Sequence, residues 1–248
     1  MENASLVGLS RQVALRRELD VVANNVANMN SSGFKSDEMV FSEFLMPKAR
    51  DDTFRRQDRT MSFVEDRATI PNFAPGELQT TESDTDIAID GEGFFVVDGP
   101  DGPRYTRNGS FRVGRDGVLV TSEGDKVMSS AGPIRFGPNE TGLSIGADGT
   151  ISTSEGLRGR LRVVRFANMM ALRKETATTF SSSEDPSQAA ADTTRVVQHA
   201  VEKSNVRGIA EMSRLVEVTR AYENISTMLQ KQDEMRQTAV ERLADVPS

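Results

Sequence analysis

The chain contains no cysteine and no tryptophan, and it has a single histidine, His199. Without thiols there is no disulfide, no thiolate nucleophile, no cysteine-held zinc and no iron–sulfur cluster. One histidine leaves one candidate base for a Ser–His–Asp triad, and a histidine metal site would need ligands from a second chain. No apolar run approaches the ~18 residues of a membrane-spanning helix. Arg11, Arg16, Arg17, Glu18 and Asp20 stand where a secretory signal keeps an uninterrupted apolar stretch, so no cleaved signal peptide is expected. Basic residues are outnumbered, 30 against 37 acidic, for a net charge of −7. That balance opposes a general affinity for nucleic acid or anionic lipid, both of which reward a positive surface.

The 248 residues fall into a helical start, a glycine-punctuated middle and a helical end. Between Asn3 and Met29 the only glycine is Gly8, and there is no proline. Leu6, Leu9 and Val13, then Leu15, Leu19, Val22, Val26 and Met29, recur mostly at three- and four-residue steps, the spacing of a helical stripe. The stripe shifts between Val13 and Leu15. Gly33 is available for a left-handed cap beyond the helix. Near the other end Leu215, Val218, Tyr222, Ile225 and Leu229 step by three, four, three and four, the pattern of a coiled-coil seam.

From about Asp86 the period changes. Short apolar runs such as Phe94-Phe95-Val96-Val97 alternate with Asp90-Gly91, Asp98-Gly99, Asp101-Gly102, Asn108-Gly109, Asp116-Gly117 and Asp148-Gly149, dipeptides that supply the positive φ of tight hairpins. Arg160 to Phe166 reads as the most regular strand. The fold class expected is α+β, with long terminal helices pairing as a coiled-coil-like tube domain around an inserted small antiparallel β domain. The divisions expected are an N-terminal helix over 1–30, an extended connector over 31–83, the β domain over 84–167, a loop or linker over 168–205, and a C-terminal helix over 206–248. Pairing the two helices covers one side of each. It leaves Val7, Ala14, Val21 and Ala23, or Met212, Val216 and Met228, facing outward, so the ends are expected to order fully only on assembly.

Candidate sites weigh differently. Asn24, Asn25 and Asn28 crowd a helix end among Val and Ala, although Asn is a poor helix former. They read either as a fraying cap or as amides that bond to neighbouring subunits and fix register. Gly91-Glu92-Gly93 begins like a phosphate loop, but Val96 stands at the third glycine position. Asp84, Asp86 and Asp90 lack the closing glutamate of a calcium loop. For both, a turn and strand edge is the better reading. Arg158, Arg160, Arg162 and Arg165 form a basic row that suits a solvated face or an ion-pair row better than nucleic acid. His199 has no Ser or Asp signature beside it. An enzyme would need converging titratable groups that this pattern does not offer, and no catalytic residue, metal or cofactor is assigned.

Three blocks carry a resemblance. Leu19-Asp-Val-Val-Ala-Asn-Asn-Val-Ala-Asn-Met-Asn-Ser-Ser-Gly-Phe-Lys35 closely resembles the N-terminal signature of flagellar axial proteins, the rod and hook family of the bacterial flagellum, with Ser31 at its usual Thr. Thr85-Asp-Ile-Ala-Ile-Asp-Gly-Glu-Gly-Phe-Phe-Val-Val97, followed by Tyr105-Thr-Arg-Asn-Gly-Ser-Phe111, is similar to the family's shared core. Glu202-Lys-Ser-Asn-Val206, then Glu211-Met212 and Arg220-Ala-Tyr-Glu223, resembles the start of its C-terminal helix. The departures are His199, where the family commonly has Gly, and Asn168-Met169 in place of Asn-Pro. The modest β domain and the extension after Lys231 resemble proximal-rod members most, with distal-rod members next.

The resemblance implies a structural subunit of the basal-body rod. Its terminal helices would line a hollow, torque-transmitting shaft while its β domain faces outward. Its partners would be copies of itself, other proximal and distal rod subunits and the flagellar type III export apparatus, with no nucleic acid and no small-molecule substrate. It would reside in the periplasmic rod of the flagellum. Leu6, Leu9, Val13, Leu19, Val22, Asn24, Asn25, Val26 and Asn28 are the subunit-interface candidates of the first helix. Leu215, Val218, Tyr222, Ile225 and Leu229 are those of the second. Gly33, Phe34 and Lys35 form the motif turn.

Overall fold

A computed structural model describes residues 2–45, 62–138, 140–189 and 193–244. The chain divides into two compact units. The first collects 1–26, 37–70 and 207–248, and the second collects 27–36 and 71–206.

The first unit holds helix α1, Glu2–Ala27, and helix α2, Gly208–Ala244. At 1.5 Å per residue they run roughly 40 Å and 55 Å. Two strands, Asp37–Leu45 and Ser62–Pro71, pair in a sheet of their own. They lie in the stretch expected as an extended connector. Charged residues scattered through both segments interrupt the apolar alternation by which a strand is read from sequence. Phe54 of that stretch, and residues 245–248 of the expected second helix, lie outside the described residues. Among the described residues no helix is long and apolar enough to cross a membrane.

The second unit is built on antiparallel pairing. The strand Phe94–Gly99 lies at its centre, flanked by Gly102–Thr106 and Lys126–Ser129. Val96 pairs with Tyr105, and Val97 pairs with both Arg104 and Val127. Side chains alternate across a strand, so an unbroken apolar run must be buried on both faces. Phe95 and Val97 enter one core with Ile87, Ile89, Phe111, Leu119, Val127 and Ile151. Phe94 and Val96 enter another with Tyr105, Val164, Phe166 and Phe180. Phe73 closes the second core, its ring edge-on to Phe94 at 5.6 Å.

Residues 168–205, expected as a linker, contain the strands Leu172–Lys174, Thr179–Ser182, Ser187–Gln188, Thr194–Gln198 and Ala200–Glu202. Each is short and is held by a ladder to a neighbouring strand. Thr194–Gln198 pairs along the whole of Ile87–Gly91, and Ala200–Glu202 pairs with Leu78–Thr80. Between them His199 takes a left-handed backbone, φ 58°, as the chain passes from one partner strand to the other.

The expected strand Arg160 to Phe166 is broken. Gly156–Arg160 pairs with Thr150–Thr153, whereas Val163–Arg165 pairs with the central strand and with Ser187–Gln188. The four arginines therefore do not share one strand. Arg158 Nε donates to Glu140 Oε2 at 2.8 Å, and Arg160 Nε donates to the Asp148 carbonyl at 2.7 Å. Both are engaged by groups of their own unit.

Candidate functional site

The helical residues come first. A Cβ on Gly8 would lie 2.8 Å from Leu229 Cδ2, so α1 approaches α2 closely there. Glu18 Oε1 accepts from Arg214 Nη2 at 2.9 Å and from its Nε at 3.1 Å. Residue numbers rise along α1 as they fall along α2, so the two helices are antiparallel. Ala14, Val22 and Val218 are buried, and Leu15, Leu19, Leu215, Tyr222, Ile225 and Leu229 are half-buried. A groove of about 450 Å³ is lined by Leu15, Glu18, Ala210, Arg214, Val218 and Ala221.

Leu6, Leu9 and Val13 lie on the other side of α1 and are exposed. The shift between Val13 and Leu15 is thus a change of face. The first half of the helix is apolar on two sides, and Ala14, expected outward, faces in. On α2 Ile209, Met212 and Val216 occupy i, i+3 and i+7, all exposed, with Ile209 at 87%.

The asparagines separate. Asn25 is buried, donates through Nδ2 to the Asp37 carbonyl at 2.9 Å and accepts from the Asp37 N–H at 2.9 Å. Its amide bonds to the main chain at the start of the strand Asp37–Leu45. Asn28 caps the following turn, accepting from Ser31 N and Ser31 Oγ. Asn24 is exposed and Val26 half-buried.

The motif turn belongs to the second unit and is internal to it. Gly33 has φ 69°, and a Cβ there would sit 2.1 Å from Asn108 N, so only glycine fits. Its N–H donates to the Glu202 carbonyl at 2.7 Å. Phe34 is fully buried, with Lys174 Nζ 4.1 Å over its ring. Lys35 Nζ donates to Glu202 Oε1 at 2.6 Å and to the Ala74 carbonyl at 2.8 Å, with the side chains of Lys35 and Glu202 each 1% exposed.

Glu202 also accepts from Gly76 N–H at 2.8 Å and, through Oε2, from Arg107 Nη1 at 3.2 Å. Arg107 is itself buried, its Nη2 donating to the Gly91 carbonyl at 2.9 Å. Burial pulls the Lys35 ammonium below its usual pKa. The Glu202 charge and hydrogen bond pull it back up, and the charge of Arg107 adds to the lowering. Arg107 is lowered by burial in the same way, against the charge and hydrogen bond of Glu202. Asn205 completes the knot. It accepts from Ser36 N–H at 2.8 Å and donates to the Asn72 carbonyl at 2.8 Å.

Sequence reasoning singled out Lys35 but not its counter-ion Glu202 or the second cation Arg107. Both stand inside the quoted blocks. Each block carries further charged residues, such as Asp20, Asp90 and Lys203, so charge pattern alone did not single out these two.

Elsewhere in the second unit a depression of about 630 Å³ is lined by Asp84, Val113, Arg115, Phe136, Pro138 and Leu143, among others. Among the described residues no group of three or more His, Asp or Glu side chains could hold a metal ion.

Terminal helices and a pinned motif turn, with an antiparallel β unit between them in sequence, define an axial-type structural subunit, and comparison with known proteins agrees. Residues 6–35 match the family described as "Flagella basal body rod protein", residues 88–153 "Flagellar hook protein FlgE/F/G D1 domain", and residues 197–242 "Flagellar basal body rod FlgEFG protein C-terminal". The chain is 37% identical to the flagellar basal-body rod protein FlgF of Caulobacter vibrioides, over 99% of this chain and 100% of that one. It is 31% identical to FlgF of Mesorhizobium japonicum, over 96% of this chain and 94% of that one. It is 30% identical to the rod protein FlgG of Buchnera aphidicola, over 88% and 91%. The chain belongs to the flagellar basal-body rod family of structural proteins and is FlgF-like within it.

Proposed function

We propose that this chain is a proximal-rod subunit that polymerises through its terminal helices into a hollow, torque-transmitting shaft. It contacts copies of itself and other rod subunits in the periplasmic part of the basal body, after leaving the cytoplasm through the flagellar type III export apparatus. One observation carries the reading. The inner faces of α1 and α2 are occupied by Gly8, Val22, Val218 and Leu229, yet Leu6, Leu9, Val13, Ile209, Met212 and Val216 stay exposed at helical spacing. Clustered exposed apolar side chains mark an association surface. Two different patches on one chain suit a heterologous contact, which extends into an open helical filament wherever its rotation does not close a ring. Of the interface candidates, Leu6, Leu9 and Val13 stay available to a neighbour, while Val22, Asn25 and Val218 support the fold of the single chain.

The test is gene deletion followed by electron microscopy of basal bodies. Loss of rods beyond the proximal segment, restored by the wild-type gene, is expected. Intact rods with normal swimming would contradict the reading. The match to FlgG at 30% identity favours a distal-rod subunit as the second reading. Rods that stop at the distal segment in the deletion strain would select it.

A further inference from the structure

Lys35, Arg107 and Glu202 come from three distant stretches of sequence and meet where almost no water reaches. Two cations share one anion, and Arg107 Nε has no hydrogen-bond partner among the described residues. A buried ion pair is a weak source of net stability, because desolvation offsets most of the attraction. Removing one partner, however, strands a charge at high cost. Here the imbalance is sharper. Losing either cation leaves a matched pair, while losing the anion leaves two buried cations facing each other.

The geometry also shows what the anion holds. Through its carboxylate and its main chain Glu202 engages the N–H of Gly33, the ammonium of Lys35, the N–H of Gly76 and the guanidinium of Arg107. These groups belong to the turn after α1, the stretch 72–77 and the central β structure, and Glu202 itself ends the last strand before α2. Asn205 ties the same stretches together again at Ser36 and Asn72. Neither core cluster includes any of these residues, apart from Phe73, which packs on one of them.

We infer that Glu202 is the bolt of an all-or-none conformational latch, which holds residues 31–36 and 72–77 against the segment leading to α2 and releases them together while the β cores stay folded. Three elements meet on one buried carboxylate, so they let go together. The latch therefore gives these segments two states, clasped or open, and no soft intermediate.

Amide hydrogen exchange on the full-length chain tests this, using Glu202→Gln and Lys35→Met. E202Q strands both cations. Exchange at Gly33, Ser36, Gly76 and Lys203 is expected to rise together by roughly 100-fold or more, while Phe95, Val97 and Val127 keep wild-type protection. K35M leaves the Glu202–Arg107 pair intact and should speed all four latch amides together, by less than roughly tenfold. The double variant K35M/E202Q should be slower at all four latch amides than E202Q alone, because one stranded cation is gone. If E202Q does not fold, K35M alone decides, since wild-type exchange at both Gly33 and Ser36 would overturn the latch. The latch is also overturned if E202Q leaves the four amides unchanged. It is overturned if they open one by one, or if the core amides open with them, which would mark the cluster as ordinary core.

Discussion

Asn25 holds both backbone polar groups of Asp37, its Nδ2 2.9 Å from the carbonyl and its Oδ1 2.9 Å from the N–H. An amide side chain thereby does at the start of the strand Asp37–Leu45 what a neighbouring strand would do. Only Asn supplies a donor and an acceptor at this reach. Asn25→Asp keeps the shape but turns the donor into a second acceptor facing a carbonyl. It is expected to cost about 1–3 kcal/mol of unfolding free energy, measured by urea denaturation. A change within error would show that the pair is dispensable.

His199 stands at φ 58°, where most L side chains are strained. Its ring lies 3.8 Å from the Asp84 carboxylate, but both side chains are well exposed, so that contact contributes little. His199→Gly is expected to stabilise the fold by about 0.5–1 kcal/mol, relief of strain being partly offset by the freer unfolded chain. H199A should give no such gain. Thermal unfolding of both variants decides, and a lower melting temperature for H199G would refute the strain.

Gly33 should tolerate nothing larger. Gly33→Ala combines left-handed strain with a Cβ 2.1 Å from Asn108 N. The expected loss is about 2–5 kcal/mol, seen as a lower urea midpoint. A midpoint matching wild type would mean that the turn relaxes without consequence.

Acid should loosen one loop selectively. Glu140 accepts from Gly137 N–H at 2.7 Å, Arg158 Nε at 2.8 Å and Thr153 Oγ1 at 3.0 Å. Burial pushes its carboxyl up, but the hydrogen bonds from Gly137, Arg158 and Thr153 outweigh that and hold its pKa below the usual 4.5. A carboxyl lowered by folding contributes its stability above the unfolded-state pKa and loses it as pH falls through the folded one. Exchange in residues 140–158 is expected to speed up selectively in that acid window, and the response should vanish in E140Q. Identical acid profiles for the two chains would count against it.

The exposed helical patches make the opposite kind of prediction. Leu9→Gln combined with Met212→Gln should shift the stability of the isolated chain by about 1 kcal/mol or less, because neither side chain is buried. Swimming and rod assembly should nevertheless fail. Val22→Gln, at a buried position, should destabilise the chain itself. Normal motility from the L9Q/M212Q strain would remove these faces from the assembly surface.

The sequence alone determined the elements whose periodicity is strong. The two helices follow from three- and four-residue apolar steps, and the doubly buried strand Phe94–Gly99 follows from four consecutive apolar residues. The run of hairpins follows from Asp-Gly and Asn-Gly pairs, and the family from three ordered blocks. Tertiary structure alone decided which helical face turns inward, since Leu6 and Leu15 are equally apolar and only the close approach of Gly8 to Leu229 distinguishes them. It also decided that short stretches such as Thr194–Gln198 are strands, because their ladders come from distant partners. The same holds for Lys35, Arg107 and Glu202, which occupy three separate blocks. Charge attraction has no sequence period, so their meeting is visible only once the backbone has brought Glu202 to Lys35 across 167 positions.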